Sequence, residues 1–274
     1  MSTYARVIED SVSPEGDRLT TIEVEFWRPV LAEFNTHRVF SRNSASSRAI
    51  PVNKQIDRLT SDPAGPLVWS TEQAGMQGGE PLTGKELEDA QNCWERARHD
   101  AIAHARHLQS LGVHKSIINR LLEPFMWHRV IVTATDWQGF WDQRCSPLAE
   151  PRIEEAANAM KAAYDASVPK AIKYGEWHTP YIRDEERDQF SADELVKISV
   201  GRACRVSYLT HEGIRDPQED IALYYRLVSQ TPPHASPLEH VATPSHPGWN
   251  SDEAAFHEGN FQGWDQLRHQ VLEV

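Results

Sequence analysis

Between residues 18 and 26 the chain alternates, with Leu19, Thr21, Glu23 and Glu25 on one side and Thr20, Ile22, Val24 and Phe26 on the other. A period of two with one mostly apolar side predicts a half-buried strand. The period changes at Pro29, a residue suited to the first turn of a helix. Val30, Leu31 and Phe34 then recur at helical spacing, and His37 and Arg38 follow one turn later. This helix would deliver a polar run to its C-terminal end.

Residues 61–84 are rich in Gly and Pro and predict a surface excursion. A long helix is expected from Thr83 through Leu111, with Leu87, Ala90, Trp94, Ala97, Ala101 and Leu108 on one face and Gly112 as its stop. A second helix is expected over 114–122, ended by Pro124. Residues 127–135 (WHRVIVTAT) are β-branched and fit either a strand or the start of a buried helix. Residues 153–166 read as helical. The acidic stretch 184–193 reads as a solvated linker. Apolar elements follow at 195–208 and 216–229. Residues 231–243 read as a turn, a helix start and a strand, 245–259 as a polar loop, and 260–271 as a helix.

The pattern breaks most sharply at residues 36–48, THRVFSRNSASSR. Almost nothing there could fill a core. The run offers His37, Arg38, Arg42, Asn43 and Arg48, with the hydroxyls of Thr36, Ser41, Ser44, Ser46 and Ser47. Guanidinium groups bind phosphate through planar paired hydrogen bonds, and serine hydroxyls and loop amides supply further donors. The run therefore suits a phosphorylated ligand; a solvated basic loop is the competing reading.

Composition narrows the setting. The chain has 274 residues, 39% hydrophobic and 25% charged, with a net charge of -12. That length is expected to form a single domain over 1–274. An acidic chain with a local basic pocket suits a small anion and argues against a nucleic-acid partner. No apolar run approaches the roughly 18 residues of a membrane span, so no membrane partner is expected. The early charges and missing apolar stretch near Met1 do not resemble a secretory leader. Cys93, Cys145 and Cys204 are scattered and odd in number. They predict a reducing, cytoplasmic setting and no cysteine metal site. His99, His104 and His107 do not share one helix face closely and read as solvated; no metal is expected.

Four segments together resemble the flavin-dependent thymidylate synthases, the ThyX family. Their Arg-His-Arg, seven residues, Ser pattern is similar to His37-Arg38, seven residues, Ser46, with Ser41, Asn43 and Arg48 in register. Residues 203–208 (ACRVSY) resemble the family's A-A-R-V-S-F segment, and 234–240 (HASPLEH) its H-x-[ST]-P-F-E-H segment. Residues 112–124 and 132–144 resemble its central helices. In ordinary members the second and third segments precede the Arg-His-Arg helix; here they follow it. A circular permutation accounts for this order, because domain termini are commonly close together at the surface. A weak likeness of 260–269 to the approach to the signature leaves partial duplication as an alternative.

The resemblance implies an α/β fold of α+β type, with an antiparallel or mixed sheet packed on long helices. It implies a homotetramer with FAD at subunit interfaces, and conversion of dUMP to dTMP with methylenetetrahydrofolate and NADPH. By motif position, Arg38, Asn43, Ser207, His234, Ser236 and Glu239 would face the flavin, with His37 beside it. Ser46, Ser47 and Arg48 would hold the nucleotide phosphate, and Arg144 the pyrimidine. The catalytic set would be Arg144, Ser46 and His37. Arg120 stands one residue off the family's other nucleotide arginine, and Gln266 and Arg268 stand where substrate contacts could lie. Thr36 replaces the first signature Arg, Ser44 stands at a usual Glu, and Glu33 near a usual Gln. Those departures fall at the nucleotide. They leave open another pyrimidine nucleotide such as dCMP, or a non-catalytic nucleotide-binding protein.

Overall fold

The structure, a computed structural model, describes residues 3–213, 216–249 and 251–272. Its centre is a five-stranded sheet of β1 (Tyr4–Val12), β2 (Arg18–Trp27), β3 (Ser41–Ser44), β4 (Trp127–Ala134) and β5 (Lys170–Ala171), in the order β3-β4-β2-β1-β5. All pairings are antiparallel except that of β1 with the short β5. β6 (Ala242–Pro244) and β7 (Trp264–Gln266) form a separate antiparallel pair. The fold is α+β with a mixed sheet, as expected. The ambiguous 127–135 stretch is a strand, because its β-branched and aromatic residues fit between β2 and β3. β1 was not anticipated: its charges and a register break between Val7 and Glu9 obscure the alternation.

The helices are α1 (Leu31–Phe34), α2 (Val52–Ser61), α3 (Gly84–Ser110), α4 (Lys115–Ile118), α5 (Gln138–Arg144), α6 (Pro151–Ala166), α7 (Asp184–Arg187), α8 (Ala192–Arg205), α9 (Pro217–Val228), α10 (Ser251–Glu258) and α11 (Leu267–Leu272). α3 ends at Gly112, whose φ of +77° suits glycine. Its Ala97 is exposed, and the buried stripe includes Arg98, Ile102 and Ala105. The helix expected over 114–122 is only one turn of α-helix before a 3₁₀ turn. The expected polar loop 245–259 contains α10, and the expected helix 260–271 begins as β7. The acidic stretch expected as a linker carries α7, whose Glu186 is buried against Arg202.

Ile22, Val24 and Phe26 of β2 and Val130, Val132 and Ala134 of β4 pack on Ile153, Ala156, Ala157 and Met160 of α6. Each of the Ile, Val, Phe and Met side chains among them contributes about 1.5–3 kcal/mol on burial. The opposite side of β2 was expected to face water. Instead Glu23 and Glu25 are fully buried. Glu23 accepts from Tyr4, Arg6, Tyr181 and His211, and Glu25 accepts from Arg58 and Arg129. Burial alone would raise the Glu23 pKa, but these donors hold it near 2. The same side carries a buried relay. Ser11 meets His178 Nδ1, His178 Nε2 meets Thr21, Thr21 meets Thr133, and Thr133 meets His240 Nδ1, all at 2.7–2.9 Å. The polar layer ties the sheet to the segments that follow it in sequence.

Candidate functional site

β3 is where the polar run meets the rest of the molecule. Its four residues pair with Thr133–Val130 of β4, so Ser41 and Asn43 turn inward and Arg42 and Ser44 are more open. Asn43 Nδ2 donates to the Ala203 carbonyl at 2.6 Å, and Ser207 Oγ donates to Asn43 Oδ1 at 3.2 Å. The Ser46 amide donates to the Ser207 carbonyl at 3.0 Å. Asn119, wholly buried, donates to the carbonyls of Ser47 and Ile50. The chain after β3 is thus clamped from two sides. Part of the run expected as a loop is an edge strand, because β4 supplies the hydrogen-bonding ladder that its own composition does not advertise.

This clamp shapes an open cleft of about 330 Å³. Arg28, Arg42, Arg48 and Arg120 line it, together with Ser44, Ser46 and Ser47 and a single carboxylate, Glu123. Arg48 and Arg120 are exposed and make no ion pair among the described residues. Arg28 approaches Glu123 at 3.4 Å and lies against the buried His128 ring, with Nη1 2.8 Å from Nδ1. Burial lowers the pKa of Arg28, and burial with the nearby Arg28 and Arg58 charges keeps His128 neutral. Ser47 donates to Glu123 at 2.5 Å. Four guanidinium groups against one carboxylate make a site for a dianion such as a phosphate monoester.

A second group lies where α1 meets α5. Arg144 Nε donates to His37 Nε2 at 2.9 Å, and Nη2 donates to the Glu33 carbonyl and to Thr36 Oγ1. The His37 ring packs edge-on against Phe140 with centroids 4.8 Å apart. Burial, then the Arg144 and Arg42 charges, lower the His37 pKa to about 4, so the ring is a neutral acceptor that aims the guanidinium. Arg144 Nη1 has no protein partner among the described residues. One oxygen of Glu33, Oε2, is buried without a partner.

A third group gathers behind Ser41, with Gln266 buried and Arg268 partly exposed. Glu239 pairs with Arg268. Burial raises the Glu239 pKa, while Arg268 and Ser41 pull it down. Gln266 is buried and donates to Asn260 at 2.7 Å, and Asn260 donates to the Val39 carbonyl. Gln266 and Arg268 therefore do not line the arginine cleft. His234 and Arg38 are exposed; His234 lies 3.5 Å from Ser236, and Arg38 makes no ion pair among the described residues.

The donor set fits a nucleotide phosphate. Its fit to FAD within one chain is partial. Arg38 and His234 are open, whereas the Asn43 side-chain amide is fully engaged by Ala203 and Ser207, and Glu239 by Arg268.

The sequence reading missed Arg28, Glu123, Asn119 and His128. Arg28 and Glu123 each stand beside a proline, and their partnership spans 95 positions, so local spacing carries no signal of it. His99, His104 and His107 are exposed on α3. Glu23, His211 and Glu212 bring ligand-type atoms within 4.8 Å of one another. Glu23 is already saturated by its donors, and Arg6 and Arg129 stand against Glu212, so a cation is disfavoured there.

No family model matches the chain, and no curated protein matches it. Among solved structures it is similar to a UMP/dUMP methylase, PolB from Streptomyces cacaoi, bound with 5-Br dUMP. The identity is 14% and the TM-score 0.45, over 60% of this chain and 90% of that one. A likeness at this level carries no argument for activity. Among the described residues no helix is long and apolar enough to cross a membrane.

Proposed function

We propose that the chain is a nucleotide-methylating enzyme of the flavin-dependent thymidylate synthase type, with its segments in permuted order. In this reading it converts dUMP to dTMP with methylenetetrahydrofolate and NADPH, as a cytoplasmic homo-oligomer that holds FAD across subunit boundaries. One observation carries the proposal: the four segments that resemble the family, far apart in sequence, converge on β3. The signature run bonds to 203–208 through Asn43 and Ser46. It bonds to 112–124 through Ser47, and to 132–144 through His37. Gln266 and the Glu239 neighbourhood close the inner side at Ser41.

The chain's own residues have distinct tasks. Arg48 and Arg120, with Arg28 and Arg42 behind them, bind the phosphate, and the serine hydroxyls complete the donor set. Neutral His37 orients Arg144, whose unengaged Nη1 can donate to a pyrimidine oxygen where charge develops. Positioning is the protein's contribution. Bound FAD would supply the redox chemistry, with NADPH as the source of reducing equivalents.

A second reading, action on dCMP, rests on Glu33 and Ser44. Both depart from the family pattern at the nucleotide, and a changed donor or acceptor at the base edge changes which pyrimidine is preferred. The visible spectrum of the purified protein, with FAD and then with dUMP, tests the main proposal. A flavin band that shifts on adding dUMP is expected. A colourless protein whose spectrum and melting temperature ignore FAD would overturn it, leaving a non-catalytic nucleotide-binding protein.

A further inference from the structure

We propose that Glu123 reads a sugar hydroxyl, which makes the arginine cleft a site for nucleoside monophosphates rather than for phosphate in general. The inference rests on the proposal that the cleft binds a nucleotide. Glu123 is the one carboxylate among the cleft's lining side chains, and its side chain is 22% exposed. A carboxylate beside a bound dianion repels it, so its presence needs a compensating contact. Part of that compensation is internal. Ser47 donates to Glu123 Oε1 at 2.5 Å, and Arg28 Nη2 approaches the same oxygen at 3.4 Å. Arg28 is itself fixed from behind by the buried His128. All these contacts fall on Oε1. Oε2 has no protein partner among the described residues, although the carboxylate is held in place.

An anchored carboxylate with a free oxygen selects a hydroxyl donor. A phosphate oxygen cannot donate once ionised, whereas a sugar hydroxyl can. The 3′-hydroxyl is the only sugar hydroxyl of a deoxynucleoside 5′-monophosphate. A site built around such a bond rejects an analogue that lacks the hydroxyl, because the bound ligand displaces water from the acceptor and leaves it unpaired.

The experiment is equilibrium binding of three ligands to the full chain: dUMP, 2′,3′-dideoxy-UMP and inorganic phosphate. The wild type is expected to bind dUMP roughly tenfold or more tighter than the dideoxy analogue. Glu123→Ala should bring that ratio close to one while inorganic phosphate binds as well as before or better. Glu123→Gln, which keeps the shape and a neutral acceptor, should give an intermediate ratio. Equal binding of dUMP and its dideoxy analogue by the wild type overturns the proposal without any variant, and so covers an alanine variant that fails to fold. A variant that weakens all three ligands alike would show that Glu123 only balances the Arg28 charge. Failure of the wild type to bind any of the three would remove the nucleotide reading of the cleft as well. Phosphate binding without dUMP discrimination would remove only the role of Glu123.

Discussion

Arg48 and Arg144 do different work, and substitution separates them. Arg48 is exposed and supports nothing else in the fold, so Arg48→Ala should weaken dUMP binding by about 10- to 100-fold. Its melting temperature should stay within a degree or two of wild type, because exposed substitutions of this kind rarely change stability. Isothermal titration and a thermal melt check both halves. Loss of flavin on this change would count against the assignment of Arg48 to the nucleotide. At this scale the dense polar run marked residues that gather around β3: His37 precedes it, Asn43 lies in it, and Ser46, Ser47 and Arg48 follow it. It was silent on Arg28 and Glu123, because an ion pair between two proline-adjacent residues leaves no periodic trace. Gln266 and Arg268 lie outside the arginine cleft: Gln266 is buried against Asn260, and the partly exposed Arg268 pairs with Glu239.

Among the elements, β3 and α8 carry the testable weight. Asn43→Ala removes the bonds from β3 to Ala203 and Ser207 and leaves the buried Ala203 carbonyl without that donor. A loss of about 1–3 kcal/mol in urea unfolding is expected, together with weaker nucleotide binding because Ser46 and Ser47 follow directly. α8 crosses α9 at Gly201. A Cβ added there would lie 2.5 Å from the Asp220 carbonyl oxygen, closer than real contacts allow. Gly201→Ala should therefore destabilise by about 1–3 kcal/mol or more, since the obstacle is backbone. A chemical denaturation curve that matches wild type would contradict the close crossing. β2, α3 and α6 were legible because their period runs for several residues; β4 stayed open between strand and helix, and α8 and α9 were marked only as apolar stretches. β3 was not, because its four residues are all polar and its ladder comes from a strand more than eighty positions later. α7 looked like solvent-facing chain because three of its residues are acidic; the buried Arg202 draws Glu186 inward.

For the molecule as a whole, the buried histidines set the response to acid. His37 titrates near 4 and His178 and His240 near 3, each lowered first by burial, and His128 is lowered well below its ordinary value for the same reason. An unfolded chain would protonate each near 6.5. Between pH 6.5 and about 4 the unfolded state therefore binds protons that the folded state does not, so stability falls as pH falls through that window. Glu9 opposes this. Burial raises it to about 7 despite Arg187, so the folded state takes up its proton before the unfolded one does. Asp17, Glu150, Asp220 and Glu239 are also raised, but less than Glu9, so the four histidines dominate. The urea midpoint should drop clearly between pH 7 and pH 5, at up to ~1.4 kcal/mol per pH unit for each histidine. A flat profile would show that these rings are hydrated. The buried relay linking His178 to His240 through Thr21 and Thr133 joins residues up to 157 positions apart, so the sequence could not reveal it. The likeness of four separate segments to one family was visible in the sequence, whereas their gathering around the run that holds β3 was not.

Release of isotope from dUMP labelled with deuterium at C5, in the presence of FAD, NADPH and methylenetetrahydrofolate, tests the proposed activity most directly. The expected result is loss of the label into solvent matched by formation of dTMP, with dCMP run alongside. Label retained in both nucleotides, with no methylated product from a flavin-loaded protein, would contradict a methylating enzyme.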